Sequence, residues 1–461
     1  MPEHVLQTWL PTLSEHFLVV MASVLVYVVN ARARRERRAP AAAIAWVMGL
    51  ILLPYLMLPL YLAFGRRKVP RTAPSPRLAP PPGQPVHWAA ALLGSFGLAP
   101  PAPSAVRFHA DGAQAAAALW ELFAAARERL DVCVFLVGND SFGREVLARL
   151  AARARAGVRV RLLYDGMGAW VAPRAALREL AAAGAAVAVF HPLFTLRRIG
   201  PRNLRNHRKY AIADETRMWA GGRNLAAEYF TGDADKEAWL DLSFDLEGEA
   251  AGWAARQFAH DWVTAGGGQA ARETWQGEPV EARGTLAQFV PSGPDQEEDT
   301  AQALLVTACF RAQRRLLAIT PYFVPDSSLQ QALILAARRG VEVTLIVPAS
   351  SNHPLADFVR GRPLRELAAA GARVLLLPRM SHAKAMVVDD SLAIGGSINL
   401  DARSLLLNYE CAVVFYGAAE ISWLAEWMQA HATRAQPFDS RPPGLLRDLA
   451  EGALLAVAFQ V

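Results

Sequence analysis

The stretches RNHRKYAIAD (residues 205–214) and SHAKAMVVD (residues 381–389) carry one pattern, His-x-Lys-x4-Asp. The chain contains 48 basic residues, but only four of them are lysines, and two of those four lie in the two copies. Such a motif is rare enough by chance that its repetition indicates a function. The residues concerned are His207, Lys209 and Asp214 in the first copy and His382, Lys384 and Asp389 in the second.

The apolar residues after each lysine predict that both copies lie on β-strands. Residues i and i+2 of a strand point to the same face, so each histidine projects into the same space as its lysine. The aspartates Asp214 and Asp389 belong to the catalytic motif, but they follow the strand. We predict that they support the local fold.

Two longer segments, residues 129–166 and 315–350, have the same order of elements. Each reads as an apolar strand, a loop containing Asp140 or Asp326, a helix stopped by Gly157 or Gly340, and a second strand. Strand–helix–strand is the parallel crossover unit of α/β proteins. We therefore predict an α/β fold made by internal duplication of a unit of about 175 residues. Two lobes related by a pseudo-two-fold axis would bring both motifs to one cleft.

The first 65 residues hold two apolar runs, Phe17–Val29 and Ala39–Phe64, separated by an arginine-rich stretch. A cleaved signal is not expected, because no Lys or Arg precedes the first run. The second run is long enough to cross a bilayer, whereas the first reaches that length only from Trp9. Pro54 and Pro59 leave a broken or re-entrant segment as the alternative, and basic clusters on both sides favour a cytoplasmic catalytic part.

Composition changes along the chain predict five regions. A Pro-rich linker follows the apolar region, and the final residues have apolar positions at helical spacing, which fits either a bilayer surface or packing on the core. The predicted regions are a membrane-anchoring part (1–68), the linker (69–104), a first lobe (105–290), a second lobe (291–440) and an amphipathic tail (441–461).

Two imidazoles and two ammonium groups around one cleft suit displacement at phosphorus through a covalent phospho-histidine. One histidine attacks, the other transfers protons, and the lysines stabilise charge on the non-bridging oxygens. No metal or other cofactor is expected, because the neighbouring lysines would repel a cation. The net charge of +6 weakly favours an anionic partner.

A Gly-Gly pair and an asparagine follow each motif. Small residues let the backbone approach a phosphate, which makes Gly222, Asn224, Ser397 and Asn399 candidate phosphate-binding residues.

The acids Asp241 and Glu410 occupy comparable places in the two halves, and we predict that they orient the imidazoles. Three arginines, Arg202, Arg205 and Arg208, crowd the approach to the first motif. They either recruit anionic lipid or form an exposed basic face without a ligand.

The sequence resembles the phospholipase D superfamily and, within it, the bacterial cardiolipin synthases. The resemblance rests on LLPYLMLPLYLAFGRR, RNHRK, GGRNLAAEY, TPYFVPD and GGSINLDARSLLLNYE, and it covers nearly the whole chain. It implies a phospholipase D-like fold and metal-independent transfer of a phosphatidyl group, typically between two phosphatidylglycerols to give cardiolipin and glycerol. It also implies that His207 is the nucleophile and His382 the general acid and base.

The expected partners are therefore an anionic phospholipid, phosphatidylglycerol, and the bacterial inner membrane. Nucleic acid is not expected, because aromatic residues interleaved with basic ones are not conspicuous. A hydrolytic phospholipase D or a phosphodiesterase with another acceptor is the alternative. A non-catalytic membrane scaffold is disfavoured by the intact motifs in both halves, and the sequence does not give the oligomeric state.

Overall fold

A computed structural model describes residues 12–33, 40–65, 67–69, 87–192, 203–232, 237–268 and 284–455. The chain divides into two compact units. The first comprises residues 1–72 and 194–204, and the second comprises residues 73–193 and 205–461. Both His-x-Lys motifs belong to the second unit.

The described part of the first unit contains three apolar helices: α1 (Leu13–Ala33), α2 (Pro40–Leu52) and α3 (Pro54–Phe64). Pro54 has no N–H to donate, so α2 ends just before it and α3 begins on it. The second apolar run is thus broken rather than one straight span. Among the described residues, one helix is long and apolar enough to cross a membrane, and it covers Leu13–Arg32.

Most of the arginine-rich stretch between α1 and α2, including Arg34, Arg35, Arg37 and Arg38, lies outside the described residues, as do Arg66 and Arg71.

The second unit is an α/β structure made of two similar lobes. The first lobe contains β1 (Ala102–His109), α5 (Gly112–Ala125), β2 (Arg129–Val134), α6 (Ser141–Arg155), β3 (Arg159–Asp165), α7 (Arg174–Ala182), β4 (Ala186–Phe190), β5 (Tyr210–Ala213), β6 (Arg217–Gly221), β7 (Ser243–Gly248) and α8 (Glu249–Thr264). Helix α4 (Trp88–Ser95) precedes it in the chain.

The second lobe repeats this order with several additions. It contains β8 (Thr285–Ser292), α9 (Thr300–Arg311), β9 (Arg315–Ile319), β10 (Phe323–Val324), α10 (Ser327–Arg338), β11 (Glu342–Pro348), α11 (Pro354–Val359), α12 (Gly361–Ala369), β12 (Arg373–Leu377), β13 (Ala385–Val388), β14 (Leu392–Gly396), β15 (Leu400–Asp401), α13 (Ala402–Leu406), β16 (Glu410–Phe415), α14 (Ala418–Ala432), β17 (Gln436–Pro437) and α15 (Leu445–Leu455).

Fifteen strands of the described residues form one sheet in the order β17-β12-β11-β9-β13-β14-β16-β8-β1-β7-β6-β5-β2-β3-β4. Counted outward from the central antiparallel pair of β8 and β1, the two halves repeat the same strand order, with β17 added at one edge. The predicted duplicated α/β fold is confirmed.

The crossover helices begin and end where the sequence predicted. The side chains of Asp140 and Asp326 accept hydrogen bonds from backbone N–H groups in the first turns of α6 and α10. Gly157 and Gly340 follow the helix ends with φ of +90° and +86°, a region that favours glycine.

Two predicted boundaries differ from the observed elements, and the predicted tail packs on the second lobe. The linker 69–104 includes α4, whose Ala89 and Leu93 pack into the apolar core of the second lobe, and the first residues of β1. Residues 70–86 of the linker lie outside the described residues. The border at 290/291 falls inside β8, which pairs with β16 and therefore belongs to the second lobe. Within the predicted tail, α15 packs on α11 and α12.

Candidate active site

Both motifs lie at the same edge of the sheet. Strand β5 runs antiparallel to β2 and pairs Tyr210 with Cys133, near the carboxyl end of β2. Strand β13 runs antiparallel to β9 and pairs Ala385 with Ile319 in the same way. The histidines precede β5 and β13, so they sit at the carboxyl ends of parallel strands, where α/β sheets usually bind ligands.

Each histidine is bonded to a carboxylate of the other lobe. His207 Nδ1 lies 2.8 Å from Glu410 Oε1, and His382 Nδ1 lies 2.8 Å from Asp241 Oδ2. The backbone repeats this exchange, because the N–H of His207 donates to Tyr409 O and that of His382 donates to Leu240 O. The site is therefore built jointly by the two lobes.

The motif lysines are buried beside these histidines. Lys209 Nζ donates to the carbonyl of its own histidine, His207, at 2.8 Å. Lys384 Nζ lies 2.5 Å from the carbonyl of His382 and within 3.0 Å of both nitrogens of that ring. Each histidine thus shares one space with its lysine, as predicted, although both pairs lie just before the strands and not on them.

Burial controls the charge of these groups. It lowers the pKa of His207 to about 4, against the opposing effect of Glu410, and lowers the pKa of His382 well below its usual value. It also lowers the pKa of Lys209 to about 8 and that of Lys384 to about 7. At these pKa values both imidazoles are neutral at pH 7, Lys209 is mostly protonated and Lys384 is only partly protonated.

The two carboxylates differ. Burial works to raise the pKa of Glu410, but His207 and Lys209 outweigh it, so that pKa is lowered. Burial raises the pKa of Asp241 to about 6 in spite of Lys384. Glu410 also accepts a hydrogen bond from Ser397 Oγ at 2.5 Å.

The motif aspartates do not belong with the catalytic residues. Asp214 accepts hydrogen bonds from three consecutive backbone N–H groups at residues 127–129, and Asp389 does the same at residues 313–315. Both residues have positive φ, 48° and 50°. Through these bonds Asp214 stabilises the start of β2 and Asp389 the start of β9. Both aspartates follow the carboxyl ends of β5 and β13, whereas the histidines precede the amino ends of these strands.

Two predicted phosphate ligands have other contacts. The N–H of Gly222 donates to Leu242 O at 3.0 Å, and a Cβ at Gly222 would lie 2.2 Å from Asp241 Oδ1. The glycine therefore makes room for the carboxylate. Ser397 Oγ holds Glu410 rather than facing an open cleft. Both residues support the acids next to the histidines.

The two asparagines share one arrangement. Asn224 Nδ2 lies 2.9 Å from Tyr229 Oη, and Asn399 Nδ2 lies 3.1 Å from Ser404 Oγ. In both residues the amide oxygen is buried and makes no hydrogen bond with the described residues. One polar atom of each side-chain amide is thus available to a ligand.

Two arginines near the first motif do not lie where they were predicted. Arg205 and Arg208 are buried, not part of an exposed basic face, and Arg202 lies outside the described residues. Arg208 donates to Asp261 at 2.5 Å and to Asp295 at 3.0 Å, and its Nε donates to the main-chain carbonyl of Glu410 at 3.0 Å. The position of Arg208 between His207 and Lys209 on a strand predicts that it points to the opposite face.

Aromatic rings around the imidazoles were also missed. Phe135 lies 5.4 Å from the ring of His207, while Tyr229 and Trp239 lie 5.0 and 5.9 Å from the ring of His382. These rings exclude water from the histidines and so contribute to their lowered pKa values.

A duplicated α/β fold with two reciprocally held His-x-Lys pairs at one sheet edge defines a phosphodiester-transfer enzyme of the phospholipase D type. The chain belongs to the family described as "Cardiolipin synthase, PLD-like domain", which it matches over residues 119–262 and 305–432. The predicted family and enzyme class, a phosphatidyltransferase, are confirmed.

Similar proteins cover most of the chain. It is 30% identical to cardiolipin synthase A of Pseudomonas aeruginosa, over 94% of this chain and 93% of the relative. It is 28% identical to cardiolipin synthase 1 of Bacillus cereus, over 83% and 81%. The phosphatidylserine synthase of Haemophilus influenzae shares the fold, with a TM-score of 0.60, 14% identity and coverage of 79% of this chain and 96% of that one.

Proposed function

We propose that this protein condenses two phosphatidylglycerol molecules into cardiolipin and glycerol, through a phosphatidyl group carried on His207. The observation that carries the proposal is the pair of buried imidazoles, each held by a carboxylate of the opposite lobe and accompanied by a lysine. The names of the relatives support the same product.

Substrate binding uses the lysines and asparagines. A phosphodiester placed between the imidazoles pairs with the ammonium of Lys209 and favours the protonated form of Lys384, whose pKa burial has lowered to about 7. Rotation of each asparagine amide lets its oxygen accept from Tyr229 or Ser404 and turns its NH₂ toward the ligand. The non-bridging oxygens then face ammonium and amide donors.

In the first step the Nε2 lone pair of His207 attacks phosphorus, and the bond from phosphorus to the glycerol headgroup breaks. His382, protonated when the anion is bound, gives its Nε2 proton to the departing alkoxide. Glycerol leaves, and the phosphatidyl group remains bonded to His207. Glu410 balances the positive charge of the phosphorylated ring.

In the second step a hydroxyl of another phosphatidylglycerol attacks the same phosphorus. His382, now neutral, accepts the proton of that hydroxyl, and the bond between phosphorus and His207 breaks. Cardiolipin is released, and both histidines regain their starting protonation. Water in place of the second lipid would give phosphatidic acid.

His207 suits the nucleophilic role because its acid partner stays ionised. Because the pKa of Glu410 is lowered, its carboxylate stays ionised and accepts a hydrogen bond from Nδ1–H of His207. This bond makes the imidazole more nucleophilic and stabilises its cationic adduct. Asp241, with a pKa raised to about 6, supports a ring that must gain and lose a proton.

We also propose that the apolar amino-terminal helices hold the enzyme at the inner membrane with the catalytic unit in the cytoplasm. The candidate spanning helix at Leu13–Arg32 supports the association.

The test is to incubate the purified full chain with phosphatidylglycerol and to identify the products by mass spectrometry. We expect cardiolipin and glycerol from the wild type and from a control variant, His431→Ala, in helix α14 and outside both motifs, and no product from His207→Ala. Phosphatidic acid instead of cardiolipin would assign the hydrolytic alternative, and no turnover by the wild type would reject both.

A further inference from the structure

The turn after β3 exposes three large apolar side chains close to the site. Met167, Trp170 and Val171 are 48%, 65% and 51% exposed. Soluble proteins scatter such residues singly, and a cluster of them marks an interaction surface. The turn lies at the carboxyl end of β3, which is the sheet edge that carries both histidines.

One carboxylate connects this turn to the active site. Asp165, the last residue of β3, accepts a hydrogen bond from the N–H of Met167 at 2.8 Å through Oδ1. Its Oδ2 accepts from the N–H of Asn206 at 2.7 Å, and Asn206 immediately precedes His207. The turn is therefore fixed to the segment that carries His207, just before β5.

The second lobe has an apolar surface at the equivalent place. Helix α11 follows β11 as the turn follows β3, and α15 packs on α11. Leu455 of α15 joins an apolar cluster with Phe358 and Tyr322, and the ring of Tyr322 lies 6.5 Å from that of His382. Helix α15 thus borders the other side of the same site.

The orientation of α15 is the reverse of that of an ordinary surface helix. Leu445, Leu446 and Leu449 are 74%, 85% and 60% exposed, and at 3.6 residues per turn they span only about 100° of the helix. Glu451, in contrast, is fully buried and pairs with Arg365 at 2.7 Å. A helix that docks through Glu451 and Leu455 while it exposes three leucines on one face matches an apolar environment outside the protein.

Charge identifies that environment. The segment that follows the turn exposes Arg174, Arg178 and Glu179, two basic residues and one acidic, so its net charge is +1. An apolar cluster containing tryptophan and flanked by arginine fits the interface of an anionic bilayer. Both substrates of the proposed reaction lie in such a bilayer, which favours it over a second copy of the chain as the partner of the exposed leucines.

We propose that Met167, Trp170, Val171, Leu445, Leu446 and Leu449 form an apolar rim that inserts into the surface of an anionic phospholipid bilayer. The rim has a part in each lobe, so it holds the mouth of the active site against the membrane independently of the amino-terminal helices. The proposal rests on the proposed function, because that function places both substrates in the bilayer.

The native cysteines make a direct test possible, since Cys133, Cys309 and Cys411 are buried. Full-length Val171→Cys and Leu446→Cys would be labelled with an environment-sensitive fluorophore and reconstituted in vesicles of equal parts phosphatidylglycerol and phosphatidylcholine. Phe310→Cys is the matched control, because Phe310 is also half-exposed but lies in α9 just before the amino end of β9, at the opposite sheet edge.

We expect blue-shifted emission and quenching by lipid-borne spin labels at positions 171 and 446, and neither effect at 310. Labels at 171 and 446 that remain as unquenched as the label at 310 would overturn the proposal, and so would insertion of only one. Energy transfer between chains labelled at 446 in detergent, without vesicles, would assign the surface to a second copy.

The readout is independent of turnover, so it separates this proposal from the enzymatic one. Repeating the labels on a His207→Ala background should leave insertion unchanged. If the wild type releases phosphatidic acid or nothing at all and the labels still insert, the proposed function fails and the rim stands.

Discussion

The two copies of the His-x-Lys motif carry the same reactive groups, but they differ in the residue between them. The first copy has Arg208, which is fully buried and bonded to two carboxylates and to the main chain of Glu410. The second copy has Ala383, which is fully buried and has no charged group to pair. The two copies therefore share their reactive side chains but differ in the buried contacts that hold those side chains in place.

The acids follow the same division. Glu410 is held at its carbonyl by Arg208 and at its carboxylate by His207 and Ser397. Asp241 accepts from His382 and from the N–H of Leu242. A rigid, ionised acid suits a nucleophile, and a more weakly held acid with a raised pKa suits a proton carrier. The two histidines are chemically identical, and they acquire different roles from their surroundings.

The largest expected effect separates the two histidines. With a phosphatidyl ester of p-nitrophenol, whose leaving group needs no proton, we expect His382→Ala to release a stoichiometric burst and then stall. We expect His207→Ala to release nothing, a loss on the order of 10³-fold or more. Stopped-flow absorbance measures both. A burst from His207→Ala and none from His382→Ala would reverse the assigned roles.

The next effect concerns the ionic support of the first motif. Arg208→Met leaves Asp261 and Asp295 buried without their cation, so we expect the free energy of unfolding to fall by about 3–5 kcal/mol. Urea unfolding followed by tryptophan fluorescence measures it. Adding Asp261→Asn and Asp295→Asn to this variant should recover part of the loss.

The matched control is Arg441→Met, which removes an exposed ion pair with Asp439. We expect a much smaller change there, because solvent screens an exposed ion pair. If Arg208→Met lowered the free energy of unfolding no more than this control does, the buried ion pairs of Arg208 would contribute nothing to the stability of the first lobe.

Much of the fold follows from local patterns. The strands around each motif, the capping residues Asp140 and Asp326 and the glycines Gly157 and Gly340 act within a few neighbouring residues, so the sequence predicts them. The repeat of these patterns then predicts the duplicated α/β fold.

The rest depends on contacts between distant residues. Glu410 is 203 residues from His207, and Asp241 is 141 residues from His382, so the sequence suggested the acids but not their crosswise pairing. Asp261 and Asp295 carry no motif that links them to Arg208. The inclusion of α4 in the second lobe was hidden because its sequence adjoins a Pro-rich stretch.

A smaller effect compares the two acids. Glu410→Gln removes a carboxylate that remains ionised, so we expect kcat to fall on the order of 10²-fold or more. Asp241→Asn removes an acid whose pKa is already raised to about 6, and we expect a loss nearer to tenfold. Steady-state rates with phosphatidylglycerol measure both. Equal losses would show that the two acids contribute alike.

The smallest effect is a shift in pH dependence that distinguishes the lysines. Burial lowers the pKa of Lys384 to about 7 and that of Lys209 to about 8, and only the protonated amine binds the phosphodiester. The kcat/KM of the free enzyme should therefore fall as pH rises through these values.

Arginine stays protonated, so Lys384→Arg should move the decline to higher pH, and Lys209→Arg should move it less. Each pH profile is compared after scaling to its own maximum, which removes the loss caused by the larger side chain. An unchanged alkaline limb in both variants would mean that neither lysine controls binding of the anion, whereas a larger shift at Lys209 would place the more easily deprotonated amine in the first lobe.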